Sequence, residues 1–179
     1  MADWLADESA LIVPAPEAEP VVRPWRQRLD RSASVGVPAH LTVLYPFASP
    51  AAIDSTLLSE LASLFAGFAP FDYRLTDVRW FGEEVLSLAP TPDTHVRGLI
   101  HLAMYRFPGY PPYGQPGLDP TPHLTIGAAV DAPALRAGEE AVRPRLPIDC
   151  SVTEVWLMET RGGRPWIVRD RFRLGGGSP

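Results

Sequence analysis

Apolar positions along the chain follow two rhythms, a period of two that fits strands and a period of three to four that fits helices. Ala10-Leu11-Ile12-Val13-Pro14 is a short apolar run suited to a buried strand. Val22, Trp25 and Leu29 then fall at helical spacing with Arg23, Arg26 and Arg28 between them, and Pro20 stands early, where its missing N–H costs least. Asp30–Gly36 has the composition of a loop. Ile53, Leu57, Leu61, Leu64 and Phe65 form the stripe of a second helix, with Ser49-Pro50 as its cap and first turn and Gly67 at its end. Alternation returns from Phe71 to Pro90, and Trp80–Leu86 reads as a hairpin around Gly82. Thr91-Pro92-Asp93 opens a third helix, with Val96, Leu99, Ile100, Ala103, Met104 and Phe107 on its buried side and Pro108-Gly109 at its end. Asp131 is expected to cap a fourth, which runs to about Val142 or Arg143 before Pro144 and Pro147 stop it. Ile148–Met158 and Pro165–Leu174 are long alternating runs around Arg161-Gly162-Gly163-Arg164, the pattern of a β-hairpin. Met1–Ser9 and Gly175–Pro179 are expected to be loose ends.

One stretch occurs twice. Pro38-Ala39-His40-Leu41-Thr42-Val43 returns as Pro122-His123-Leu124-Thr125-Ile126, one copy in each half. Both copies are rich in β-branched and apolar residues and read as strands. Alternation then sends His40 and Thr42 to one face and Leu41 and Val43 to the other, with His123 and Thr125 opposed to Leu124 and Ile126 in the second copy. The same period places Tyr45 with Leu41 and Val43, toward the core. The repeat and the order of elements predict an α+β fold: two pseudo-symmetric lobes of mixed or antiparallel sheet, helices outside, and a cleft between the lobes. If the lobes pack face to face, two imidazoles and two hydroxyls converge in that cleft.

Composition narrows the picture. With 179 residues, 46% of them hydrophobic, the chain has material for one substantial core, and we read residues 1–179 as one bilobal domain. A lone cysteine, Cys150, forms no internal disulfide, and its strand position marks it as a small core residue. Neither a signal peptide nor a membrane-length apolar stretch is visible, so a cytoplasmic monomer without membrane contact is expected. Net charge is −5, which disfavours gripping long nucleic acid through many phosphates. A small or terminal phosphate ligand remains compatible. All basic residues other than histidine are arginine.

The four repeated side chains suit phosphodiester chemistry. Displacement at phosphorus needs a proton taken from the attacking oxygen, a proton given to the leaving oxygen, and donors for the charge gathering on the other oxygens. Two histidines supply the first two near neutral pH, and two threonine hydroxyls the third. No metal or cofactor is required. A zinc site would want three or four ligands, whereas threonine stands two residues after each histidine. His95 and His101, six apart on a helix, read as surface or packing residues.

With both motifs in hand, the chain resembles the 2H phosphoesterase superfamily, which includes the 2'-5' RNA ligase-like proteins and cyclic nucleotide phosphodiesterases. The resemblance rests on His40-Leu41-Thr42-Val43 and His123-Leu124-Thr125-Ile126 and spans about Ala10 to Leu174. It implies metal-independent work on 2',3'-cyclic phosphates or 2'-5' linkages, with a nucleotide or RNA-end phosphate as substrate. One of His40 and His123 would be the base and the other the acid, with Thr42 and Thr125 holding the phosphate. A non-catalytic nucleotide or RNA-binding module, and ligation of RNA ends, are the alternatives. The loop that carries Tyr110 and Tyr113 runs straight into His123, so these tyrosines are candidates for stacking on a base, a contact that contributes about 1–3 kcal/mol. Arg161, Arg164, Arg169, Arg171 and Arg173 form the most basic region, either a phosphate rim or a solvated strand face.

Overall fold

The structure, a computed structural model, describes residues 7–128 and 131–175. The elements in order are β1 (Glu8–Pro14), α1 (Glu19–Leu29), α2 (Arg31–Ser34), β2 (His40–Leu44), α3 (Ser55–Ala66), β3 (Phe71–Phe81), β4 (Val85–Thr91), α4 (Thr94–Arg106), β5 (Leu124–Ala128), α5 (Ala132–Val142), β6 (Ile148–Val152), β7 (Glu154–Thr160) and β8 (Ile167–Arg173). They build two four-stranded sheets, ordered β2-β1-β7-β8 and β5-β4-β3-β6. Every ladder is antiparallel, so the sheets are not mixed.

The two-fold pattern expected from the repeat is visible in this order. β1-α1-β2 in the first half matches β4-α4-β5 in the second, and each motif is carried by the edge strand of its sheet, His40 as the first residue of β2 and His123 just before β5. The halves are also interlaced. β3 leaves the first half to pair with β4 and β6, and β7 leaves the second half to pair with β1. One apolar cluster joins the sheets, with Leu11, Leu41 and Leu157 from one and Leu75, Leu88 and Leu124 from the other, all fully buried. α1, which joins β1 to β2 of the first sheet, rests on β5 of the second, and α3 rests on β8.

Several sequence expectations change in detail. Asp30–Gly36 contains the single turn α2, because the Asp30 carboxylate accepts from the Ser32 N–H as its cap. The cap of α3 is Asp54, which accepts from the Leu57 N–H, while Ser49-Pro50 begins a separate 3-10 turn. Asp131 stands at the N-cap of α5 but makes no side-chain cap bond. The run Ile148–Met158 is two strands in two sheets, β6 beside β3 and β7 beside β1. Alternation persists on both sides of Thr153, so the sequence pattern shows no break there. Met1–Ser9 is not a loose end throughout, because Glu8 and Ser9 belong to β1 and Ser9 is buried with its hydroxyl donating to the Ala48 carbonyl at 2.6 Å; residues 1–6 and 176–179 lie outside the described residues.

α1 and α5 reach β5 through Gly127. A Cβ there would lie 2.6 Å from Leu29 Cβ and 2.8 Å from Leu135 Cδ2, inside van der Waals contact. Gly127→Ala is therefore expected to destabilise the fold by about 1–3 kcal/mol, as overpacking does, read as a lower urea midpoint.

Candidate active site

Each motif is shaped by the same local irregularity. On β2, Thr42 faces Ile12 and Leu44 faces Leu11, which leaves Val43 as an extra residue. On β5, Thr125 faces Ser87 and Gly127 faces Leu86, which leaves Ile126 extra. A bulge thus follows the threonine in both copies, bending each edge strand at its motif. It also resets the alternation. Val43 and Leu44 are both buried, and Tyr45 turns toward the cleft with His40 and Thr42 rather than into the core, contrary to the unbroken period.

β2 and β5 touch each other, and beside them opens a cavity of about 500 Å³. His40, Thr42, Thr125 and Tyr113 line it together. The His123 ring is not part of that lining. It stands two residues before Thr125 with Phe81 tilted against it at 4.7 Å between ring centroids, and its charge is felt at His40.

Both imidazoles are held in the same way. His40 Nδ1 lies 2.7 Å from the Pro38 carbonyl oxygen, and His123 Nδ1 lies 2.7 Å from that of Thr121. A carbonyl only accepts, so each Nδ1 carries the proton, and in the neutral ring Nε2 keeps its lone pair. Burial and then the Arg26 guanidinium lower the His40 pKa to about 4, against the Pro38 carbonyl and Asp30, with a smaller push from His123. His123 is also lowered, by burial and by Arg79, against the Thr121 carbonyl.

The sequence reading gives those two arginines no role. Arg26 is 2% exposed, pairs with Asp30 at 2.7 Å, and donates through Nη1 to the Val37 carbonyl at 3.2 Å, just ahead of His40. Arg79 donates through Nη1 to the Pro122 carbonyl at 3.2 Å, just ahead of His123. Each motif is thus steadied from behind by a guanidinium. The Arg26/Asp30 spacing of four on a helix is the signal that could have found the first.

The two loop tyrosines part company. Tyr113 lies in the left-handed region with φ 52°, donates its backbone N–H to the Tyr45 carbonyl at 2.6 Å, and sets its phenol against the Thr42 hydroxyl. Tyr110 does not reach the cavity. Its ring packs on Phe47 at 5.0 Å and belongs to the core, because the two prolines that follow turn the chain before Tyr113. The basic region divides as well. Arg161 and Arg169 both pair with Glu159, Arg171 lies over the Trp156 ring at 4.5 Å, and only Arg164 of these five lines the cavity.

Other candidates lie elsewhere. His95 stacks on Phe71, and His101 pairs with Asp119 at 2.8 Å. Cys150 is buried, which pushes its thiol up to about 11. Among the described residues, no three His, Cys, Asp or Glu side chains gather as a metal-binding group, and no helix is long and apolar enough to cross a membrane.

The two antiparallel sheets, with a His-x-Thr run at one edge of each, accord with membership of the 2H phosphoesterase superfamily. The family model of the 2'-5' RNA ligase superfamily matches residues 13–164, and the chain belongs to that family. Among solved structures it is similar to E. coli LigT complexed with 3'-AMP, at 19% identity and TM-score 0.56 over 94% of this chain and 98% of that one. It is also similar to the TT0787 protein of Thermus thermophilus, at 19% identity and TM-score 0.62 over 96% of this chain and 100% of that one. A structure described as a phosphoesterase matches at 18% identity and TM-score 0.56, over 94% and 98%. No curated protein matches.

Proposed function

We propose that the chain is a phosphodiesterase that opens 2',3'-cyclic phosphates of nucleotides or RNA ends by two-histidine acid–base catalysis. The observation that carries this reading is the matched pair of imidazoles, each with Nδ1 anchored on the carbonyl two residues back and Nε2 left for chemistry. Family membership supports it, as do solved relatives described as complexes with 3'-AMP, NADP+ and ATP.

In this scheme a phosphate sits between Thr42 and Thr125, whose hydroxyls donate to its non-bridging oxygens. His40 has the more depressed pKa and is neutral across the working range, so it serves as the base. Its Nε2 takes a proton from water as the water oxygen attacks phosphorus. One phosphorus–ribose oxygen bond breaks, and that oxygen takes a proton from His123 Nε2, which requires the His123 ring to reach the phosphate from its place two residues before Thr125. The product is a phosphomonoester, and the two histidines exchange protonation states until solvent resets them. Hydrolysis of 2'-5' linkages uses the same steps with a nucleoside as leaving group.

The test is chelator-treated protein incubated with 2',3'-cyclic and 2'-5' linked substrates, with products identified by mass spectrometry. Conversion to monoester is expected. Saturable binding with no product after long incubation would make the chain a binding module instead.

The pH profile follows from the two shifts. As pH falls through about 4, His40 gains a proton and the base is lost. As pH rises past the lowered value of His123, the acid is lost. A bell-shaped kcat/KM is expected, with its maximum on the acid side of an ordinary histidine, about 6.5. A profile still rising above pH 8 would reject the assignment. Tyr113→Phe, which removes the hydroxyl beside Thr42, is expected to lower kcat/KM by about five- to tenfold, the worth of one hydrogen bond, measured under the same conditions.

A further inference from the structure

Beyond the motifs, the cavity runs along the first sheet to a wall of different chemistry. β1 sends Ile12, Ala10 and Glu8 to it in turn. Ile12 stands beside Thr42, and Glu8 beside Thr160. Ile12 and Glu8 are four residues apart, about 13 Å at a strand's rise of ~3.3 Å per residue. One nucleoside fills that span, and a bare phosphate does not.

The floor between them is apolar. Ala10, Ile12, Val37 and Met158 form a small buried cluster, and the rings of Tyr45 and Trp166 pack against it. Those rings meet edge to face with centroids 6.3 Å apart, and the Trp166 backbone N–H is tied to the Val35 carbonyl at 2.7 Å. A fixed aromatic ring beside a polar corner is suited to stacking a base.

At the far end, the Tyr45 hydroxyl donates to Glu8 Oε2 at 3.1 Å. Among the described residues, no cation pairs with Glu8 and no donor reaches its Oε1. A carboxylate oxygen accepts more than one hydrogen bond, so both oxygens retain capacity for a ligand. An ionised carboxylate only accepts. Guanine presents two adjacent donors, N1–H and N2–H, on its Watson–Crick edge. Adenine, cytosine and uracil each place an acceptor next to a donor there, and an acceptor facing a carboxylate repels it.

We infer that Glu8, oriented by Tyr45, makes the cavity selective for a guanine base, so that guanosine 2',3'-cyclic phosphate or a strand ending in it is the preferred substrate. This selectivity rests on the phosphodiesterase reading above and adds to it the identity of the base. Tyr45 acts as a positioning residue, holding the carboxylate edge-on to the ring that Trp166 supports.

The experiment compares kcat/KM for the four nucleoside 2',3'-cyclic phosphates on the wild-type protein and on Glu8→Gln. In the wild type the guanosine substrate is expected to lead each of the others by about ten- to a hundredfold, the discrimination of a bidentate base contact. Glu8→Gln is expected to erase that lead. Equal rates on the four substrates, preference for another base, or a guanosine lead that survives Glu8→Gln would each overturn the inference, and the first two need no variant. If none of the four is hydrolysed, the phosphodiesterase reading falls, and calorimetric titration of the four 3'-mononucleotides decides the base selectivity. Tighter binding of 3'-GMP that Glu8→Gln removes sustains it, whereas equal affinities or no binding overturn it.

Discussion

His40→Ala and His123→Ala are each expected to lower kcat on a 2',3'-cyclic nucleotide by about 10²–10⁴-fold, the contribution of a positioned general acid or base. The loss should fall on kcat, because the threonines proposed to hold the phosphate remain. In the proposed mechanism the two rings work on one transition state, so the double variant should be little slower than either single one. Loss in one variant with ordinary turnover in the other would reject a mechanism that needs both. The variants also separate the roles: His40→Ala removes the limb of the pH profile that falls toward acid, and His123→Ala the limb that falls toward base. Far-ultraviolet circular dichroism of each variant distinguishes a lost proton relay from a lost fold.

The second large effect is structural and sits behind the first motif. Arg26→Ala is expected to cost about 3–5 kcal/mol of folding stability, because it leaves the Asp30 carboxylate buried without its cation. Asp30 accepts from Arg26 through Nε at 3.0 Å and Nη2 at 2.7 Å, and its other oxygen is bound by Ser32. Among the described residues, only Arg26 forms an ion pair with it. For a domain of this size the loss corresponds to a melting temperature lower by about 6–20 °C. Arg26→Ala with Asp30→Ala should cost less than the two single losses summed, since removal of the pair leaves no orphaned charge. The same substitution removes a positive charge that lowers the His40 pKa, so the acid limb of the rate profile should move up in pH. A stable variant with an unmoved limb would contradict both expectations.

Much of this arrangement is legible in the chain. The repeated His-Leu-Thr run marks both site strands, and the stripe from Ile53 to Phe65 marks a helix, since each needs only local spacing. What escapes depends on partners distant in sequence. Val43 is extra only with respect to β1, so the turn of Tyr45 into the cavity follows from a ladder that β2 alone does not encode. Thr153 separates two sheets without a proline or glycine to mark it. Tyr110 and Tyr113 share one composition, and they differ because Phe47 lies under the first ring while the second is carried on a left-handed residue. Arg26 looks like one of three solvated arginines on a helix until Asp30, Ser32 and Val37 are seen to enclose it.

The interlacing of the halves bears on how such a chain tolerates being divided. A break at the Gly82 turn would yield two pieces, each with one histidine motif, yet β3 would lose both its ladder partners and β1 would lose β7. Neither piece could close its own sheets, so function would return only when the fragments found each other in solution, with a concentration dependence that the intact polypeptide does not show.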